Sequence, residues 1–162
     1  MPEFVMEYRD HAARAESDFV LGFIEALFFT ESDGMFCAAD WFTDEAQEAR
    51  EQGQCSQLPS DVGYTDLHPD SLSAIRADCE AWQAANAALL AQAYSRGYDA
   101  AQAGRDYWFT RNGHGVGFWD REELEQGGLG AALSAACRYN EVHAWFGNHV
   151  KHGDAPFVYV DL

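Results

Sequence analysis

The most constraining stretch of the chain is Arg105 to Glu122, RDYWFTRNGHGVGFWDRE, in which two aromatic-rich runs flank Asn112-Gly113-His114-Gly115. Tyr107, Trp108 and Phe109 before the centre, and Val116, Phe118 and Trp119 after it, favour strands, because flat or branched side chains pack well on a pleated surface. Asn and Gly tolerate the positive φ of a tight reversal. The stretch therefore predicts a β-hairpin over 106–120. This is a structural signal, and no catalytic signature of comparable strength accompanies it.

A chain of 162 residues that is 48% hydrophobic suits one domain, 1–162, with a core that needs neither metal nor disulfide. Its formal net charge of −17 is unevenly spread: −4 over residues 1–30, −10 over 31–80 and −3 over 81–162. The middle third would repel nucleic acid and anionic lipid and attract basic surfaces, including nucleic-acid-binding clefts. Solubility alone is the bland account of such acidity. The four cysteines form no C-x-x-C pair, and the first thirty residues lack the pattern of a signal peptide, so a reduced cytoplasmic setting is expected. No apolar run approaches the roughly eighteen residues of a membrane span.

Residues 1–17 are charged and polar and fit a frayed helix or a mobile start. The dense run FVLGFIEALFF (19–29) predicts a helix from Asp18, capped by Ser17 or Asp18. Residues 31–69 form an acidic, loop-rich insert, with a short helix at Thr43–Gln52 where a threonine cap precedes acids in the first turn. From Asp70 or Ser71 a long helix, about 70–102, presents Leu72, Ile75, Cys79, Trp82, Asn86, Leu89 and Ala93 on one face, and Gly97 or Gly104 ends it. Asp120 with Glu123 suggests a capping box. Gly127-Gly128 then breaks the chain before a stripe of Leu129, Leu133, Ala136 and Cys137. EVHAWF and FVYVDL alternate as strands. The expected fold class is α+β: a small antiparallel sheet of three to five strands, made of the 106–120 hairpin and the C-terminal strands, packed against the long helix and shorter ones.

Several residues carry candidate chemistry. His114, between two glycines, could be an acid/base group with Asp106, Arg111 and Asp120 nearby, since a carboxylate orients an imidazole and raises its pKa. The simpler account is a turn residue with its ring on the surface. Glycines 113, 115 and 117 do not make a phosphate loop, for no Walker lysine follows. His143, His149 and His152 lie near Asp154 in the sequence but at no recognisable four-ligand spacing, so no metal and no cofactor is expected. Ser134 and Cys137 read as packing. The tryptophans at 41, 82, 108, 119 and 145 lack the positive charge that accompanies base-stacking platforms.

GRDYWFTRNGHGVGFWDRE resembles a string found in a family of small uncharacterised proteins of tailed bacteriophages. FIEALFFTES and DLHPDSLSAIRADCEAWQAANAALL are similar to that family too, so the resemblance spans most of residues 23–162, although the 147–156 loop is longer than the family's short strand-turn-strand end. It implies a phage or prophage source and action in the bacterial cytoplasm, and brings no established reaction. Small acidic phage proteins include inhibitors that occupy the DNA-binding cleft of a host or defence enzyme. The first expectation is therefore a non-enzymatic inhibitor of an anti-restriction or anti-CRISPR kind, mimicking DNA. It would meet the basic surface of a bacterial nucleic-acid-binding protein through Asp40, Asp44, Glu45, Glu48, Glu51, Asp61 and Asp66. A small enzyme or ligand-binding domain built on His114, Arg111 and Asp120, and a structural accessory protein, are the alternatives.

Overall fold

The computed structural model describes residues 11–32, 35–137, 140–148 and 155–162. Helix α1 (Asp18–Glu31) starts where Ser17 Oγ accepts the Val20 N–H at 3.3 Å. Phe19, Val20, Gly22, Phe23, Ile24, Ala26 and Leu27 are buried, which places α1 inside the core and explains a sequence that is apolar nearly all round. Thr43 caps α2 (Asp44–Glu51) in the same way, accepting the Ala46 N–H at 3.3 Å.

The long helix is three helices. α3 (Pro69–Ala85) is capped by His68, whose Nδ1 accepts the Asp70 N–H at 3.1 Å while Pro69 takes the first helical position. Asp70 and Ser71 therefore lie inside the helix. Asn86 ends α3: its Nδ2 donates to the Trp82 carbonyl at 2.9 Å, an internal bond that competes with helix continuation. α4 (Ala87–Tyr94) restarts the chain, and Gly97, at φ +86°, turns it into α5 (Ala100–Arg111). The predicted stripe survives these breaks, with Ile75, Cys79, Trp82 and Ala93 buried and Leu72 and Leu89 packed at the core edge.

The predicted 106–120 hairpin is corrected by α5. Asp106 to Arg111 are all buried, so the helix has no polar face and its aromatic run carries no 3.6-residue period to distinguish it from a strand. Asn112-Gly113 does reverse the chain, but as the end of a helix and not as a hairpin turn. Gly113, at φ +68°, donates to the Thr110 carbonyl, and the His114 N–H donates to the Phe109 carbonyl at 3.0 Å. That is the paired-bond ending of a helix in which glycine supplies the left-handed residue. Beyond it Phe118–Asp120 is a single 3-10 turn, with the Phe118 N–H on Thr110 Oγ1 at 3.2 Å. Asp120 closes this turn instead of capping a helix, and α6 (Leu129–Cys137) begins after Gly127 and Gly128, both at positive φ.

α1 and α5 cross at the centre. A Cβ on Gly22 would stand 2.0 Å from the Ala101 carbonyl oxygen, and one on Gly104 1.9 Å from that of Phe19. Gly104 is thus a contact point between two backbones and not a helix terminator. Around the crossing, Trp82 stacks on Tyr107 at 4.4 Å and on Phe118 at 5.5 Å, and Trp108 meets the edge of Phe23 at 5.3 Å while its Nε1 donates to Thr30 Oγ1 at 2.9 Å.

The C-terminal strands form as expected: β1 (His143–Gly147) pairs antiparallel with β2 (Phe157–Asp161), Trp145 opposite Tyr159. The fold is α+β, with two strands in the sheet among the described residues against the three to five expected, because 106–120 contributes none. Ala144, Phe146, Val158 and Val160 face the helices. β2 is tied to the start of α3 by the Val160 N–H on Ser71 Oγ at 3.0 Å and the His68 N–H on the Val158 carbonyl at 2.9 Å. Near the start of the chain, Ala13 is buried, and Glu16 takes the Tyr64 hydroxyl at 2.6 Å and the Arg76 guanidinium.

Candidate functional site

The acidic insert is pinned to the core at several points. The Leu58 N–H donates to the Glu31 carbonyl at 2.8 Å, the Ser60 N–H to that of Phe36 at 2.9 Å, and Trp41, Leu58, Val62 and Tyr64 are buried. On α2, Ala46 and Ala49 face inward. Asp44, Glu48 and Glu51, spaced four and three residues apart, therefore share the outer face, with Glu45 beside Glu48. All four, and Asp40 in the preceding turn, are exposed. None of these five has an ion-pair partner among the described residues; Glu48 and Glu51 accept only amide bonds, from Gln52 and Gln47, each at 3.0 Å.

Arg50, the base on α2, does not offset them. Its Nη1 donates to the Trp41 carbonyl at 2.8 Å and its guanidinium lies 4.4 Å from the centre of the buried Trp41 ring. The positive charge is thereby held on the inner side of α2 and the outer side is left wholly negative. Asp61 is exposed and accepts the Ala38 N–H at 2.7 Å, which sets it next to the same segment. Asp66 is different. It is half-buried and accepts the Gly63 N–H at 2.9 Å, which commits it to a local turn. Six of the seven acids named from the sequence thus lie on the exposed 40–61 segment, and Asp66 lies apart.

Met35 and Phe36 were missed by the sequence reading. They line an open groove of about 410 Å³ together with Glu45, Glu48, Ala49, Gln52 and Gln54. An apolar pair amid acids and turn residues was the available signal, but spacing alone does not show that it folds against α2.

Among the described residues no hydrogen bond or ion pair joins His114 to Arg111, Asp106 or Asp120. Arg111 is buried; its Nη1 binds Asp78 at 2.5 Å and the Tyr107 hydroxyl at 3.0 Å, and its Nε binds the Asn140 carbonyl at 3.0 Å. Asp106 has no exposed surface and receives the Tyr98 hydroxyl at 2.6 Å, Gln102 at 3.1 Å and both arms of the Arg121 fork at 2.8 and 2.5 Å. Asp120 points to solvent. His114 is half-buried, with its ring edge-on to Phe109 at 5.8 Å and no hydrogen-bond partner for its buried Nε2 among the described residues. The arrangement offers structural ion pairs and no assembled general acid and base.

His114 lies within electrostatic reach of Glu31 at the end of α1. Burial pushes the Glu31 carboxyl above its usual range, and the His114 and His143 charges only partly oppose this. A carboxyl with a raised folded-state pKa costs stability once ionised. The penalty grows as pH rises from the unfolded value through the folded one and is absent below both. Glu31→Gln is therefore expected to melt above the wild type at pH 7 and level with it near pH 4, read by thermal denaturation at the two pH values. Equal melting at pH 7 would show that Glu31 ionises without cost.

Among the described residues no group of three or more His, Cys, Asp and Glu could hold a metal ion; His149, His152 and Asp154 lie outside them. His143 is exposed at the start of β1. The Cys137 thiol donates to the Leu133 carbonyl at 3.3 Å and burial pushes its pKa up to about 12, so it stays protonated and unreactive. Ser134 sits half-buried on the same helix. Trp41, Trp82 and Trp108 are core residues, and among the described residues no helix is long and apolar enough to cross a membrane. No protein-family model, curated protein or solved structure matches this chain.

Proposed function

We infer that this protein works by binding and not by catalysis: its acidic α2 face occupies the basic surface of a bacterial nucleic-acid-binding or defence protein and keeps DNA or RNA off it. The observation that carries this is the row of exposed carboxylates at 40, 44, 45, 48 and 51, without ion-pair partners among the described residues, with Arg50 turned inward onto Trp41. Solubility needs charge but not a single-sign face built by hiding the one base on it. Such a face steers association with a positive cleft and makes it salt-dependent. The resemblance to phage proteins supports the host cytoplasm as the place of action and an anti-restriction or anti-CRISPR role, with carboxylates standing where DNA phosphates would. Arg111 and Asp106 are taken up in other ion pairs and Asp120 is exposed, which gives the enzymatic alternative no comparable support.

The test is a column of immobilised protein loaded with bacterial lysate at low salt. Nucleic-acid-binding proteins should be retained, released by raised salt and displaced by duplex DNA. The variant combining Asp40→Asn, Asp44→Asn, Glu45→Gln and Glu48→Gln should retain about tenfold less, a loss of about 1.4 kcal/mol. His114→Ala should retain as much as the wild type. Retention indifferent to salt or to the four neutralisations would overturn the reading.

A further inference from the structure

The groove beside α2 asks for more than charge. Its apolar lining is Phe36, Ala49 and Met35, the last with 65% of its surface exposed, and Glu45 and Glu48 stand over it one helical turn apart. One side-chain chemistry matches an apolar wall under a pair of carboxylates. Arginine lays an aliphatic stem on apolar surface while its charged head stays at the edge, and its planar fork can meet two carboxylates at once. A methionine at the lip suits such an occupant, since its flexible, polarizable side chain adapts to what it covers. No ion pair has to break first, because Glu45 and Glu48 have no basic partner among the described residues.

We propose that this groove is the anchor point of the binding face and seats an arginine from a basic segment of the protein partner, its stem against Phe36 and Met35 and its guanidinium between Glu45 and Glu48. This rests on the acidic-face reading and adds to it the partner's chemistry. The surrounding carboxylates attract any cationic surface; the groove selects one with an arginine free to enter.

The full chain would be titrated with two fluorescein-labelled peptides of equal charge, alternating arginine-glycine and alternating lysine-glycine, at several salt concentrations. The arginine peptide should bind more tightly. Met35→Ser, which removes the lip, and Gln52→Trp, which fills the groove, should each weaken it about fivefold while leaving the salt dependence unchanged. Glu45→Gln with Glu48→Gln should weaken binding and flatten the salt dependence together. Wild-type affinity in both Met35→Ser and Gln52→Trp overturns the anchor. If the double neutralisation still flattens the salt dependence, the acidic-face reading survives that loss; if it does not, both fall. No measurable binding of the arginine peptide to the wild type also overturns the anchor, and the lysate column then judges the acidic face independently. A concentration-dependent dimer abolished by Met35→Ser would assign the groove to a second copy of the chain and overturn the proposal.

Discussion

Gly104→Ala is expected to lower the melting temperature by about 10 °C, reflecting a cost of about 4 kcal/mol, near the upper end of what single substitutions do. The added Cβ would lie 1.9 Å from the Phe19 carbonyl oxygen and 2.9 Å from the Phe23 nitrogen. Both are backbone atoms of α1, so no rotamer change relieves the overlap. The helices must part, and that opens the stack of Phe19, Trp82 and Tyr107 packed beside the crossing. Gly22→Ala meets the Ala101 carbonyl oxygen in the same interface and should cost a similar amount. The two together should cost less than their sum, since the first separation makes room for the second. Gly113→Ala is the control: nothing lies within 4 Å of its Cβ, so only its φ of +68° counts, for about 1 kcal/mol. Thermal unfolding of the four variants settles the point. A Gly104→Ala protein melting as high as Gly113→Ala would mean that the close crossing contributes no more than a turn does.

This crossing also shows where the sequence was opaque. A glycine after an alanine-rich helical pattern has a known cost to helicity, and it was read as a stop because a backbone lying against it leaves no mark in the local sequence. The aromatic run at 107–109 resembles a strand in sequence for a related reason: a helix segment buried on every side shows no amphipathic period. Asn112-Gly113 fits a hairpin and a helix end equally well, since both need positive φ. Elements with one wet face were legible. Ser17 and Thr43 cap the helices they were expected to cap, the stripe from Ile75 to Ala93 faces the core, and both C-terminal strands form where expected, although β2 buries Val158, Tyr159 and Val160 in a row instead of alternating. The acids of the candidate face were legible as acids and, by their spacing, as one side of α2. Their lack of compensation was not, because it depends on Arg50 folding onto Trp41, nine residues earlier in the chain, and the groove depends on where Met35 and Phe36 return to the helix.

Asp106→Asn should destabilise the protein by about 3–5 kcal/mol, the usual cost of leaving one member of a buried ion pair without its partner. Asp106 is fully buried, the Arg121 side chain is 13% exposed, and the two are joined through both arms of the guanidinium fork. The asparagine keeps a partner for Tyr98 but no longer balances Arg121, which cannot shed its proton. The Tyr98 hydroxyl, pushed far up by burial and the Asp106 charge, remains a donor at every working pH. Arg121→Gln strands the carboxylate instead and should cost about as much. Because each single change already abolishes the pair, the double variant should recover at least about 2 kcal/mol of the summed losses. Urea unfolding of the two singles and the double at pH 7 measures this coupling. Additivity within about 0.5 kcal/mol would show that the fork contributes nothing as a pair. The pair binds the 117–121 turn to α5, whereas the acidic face is built from residues 35–61 and held by Trp41, Leu58 and the Asp61 bond to Ala38. Asp106→Asn should therefore lose stability and still, below its melting temperature, retain basic partners as the wild type does. The four neutralisations at 40, 44, 45 and 48 should do the reverse, since none of those carboxylates has a charge partner among the described residues to lose, and this opposite pair of outcomes would separate what holds the fold from what meets the partner.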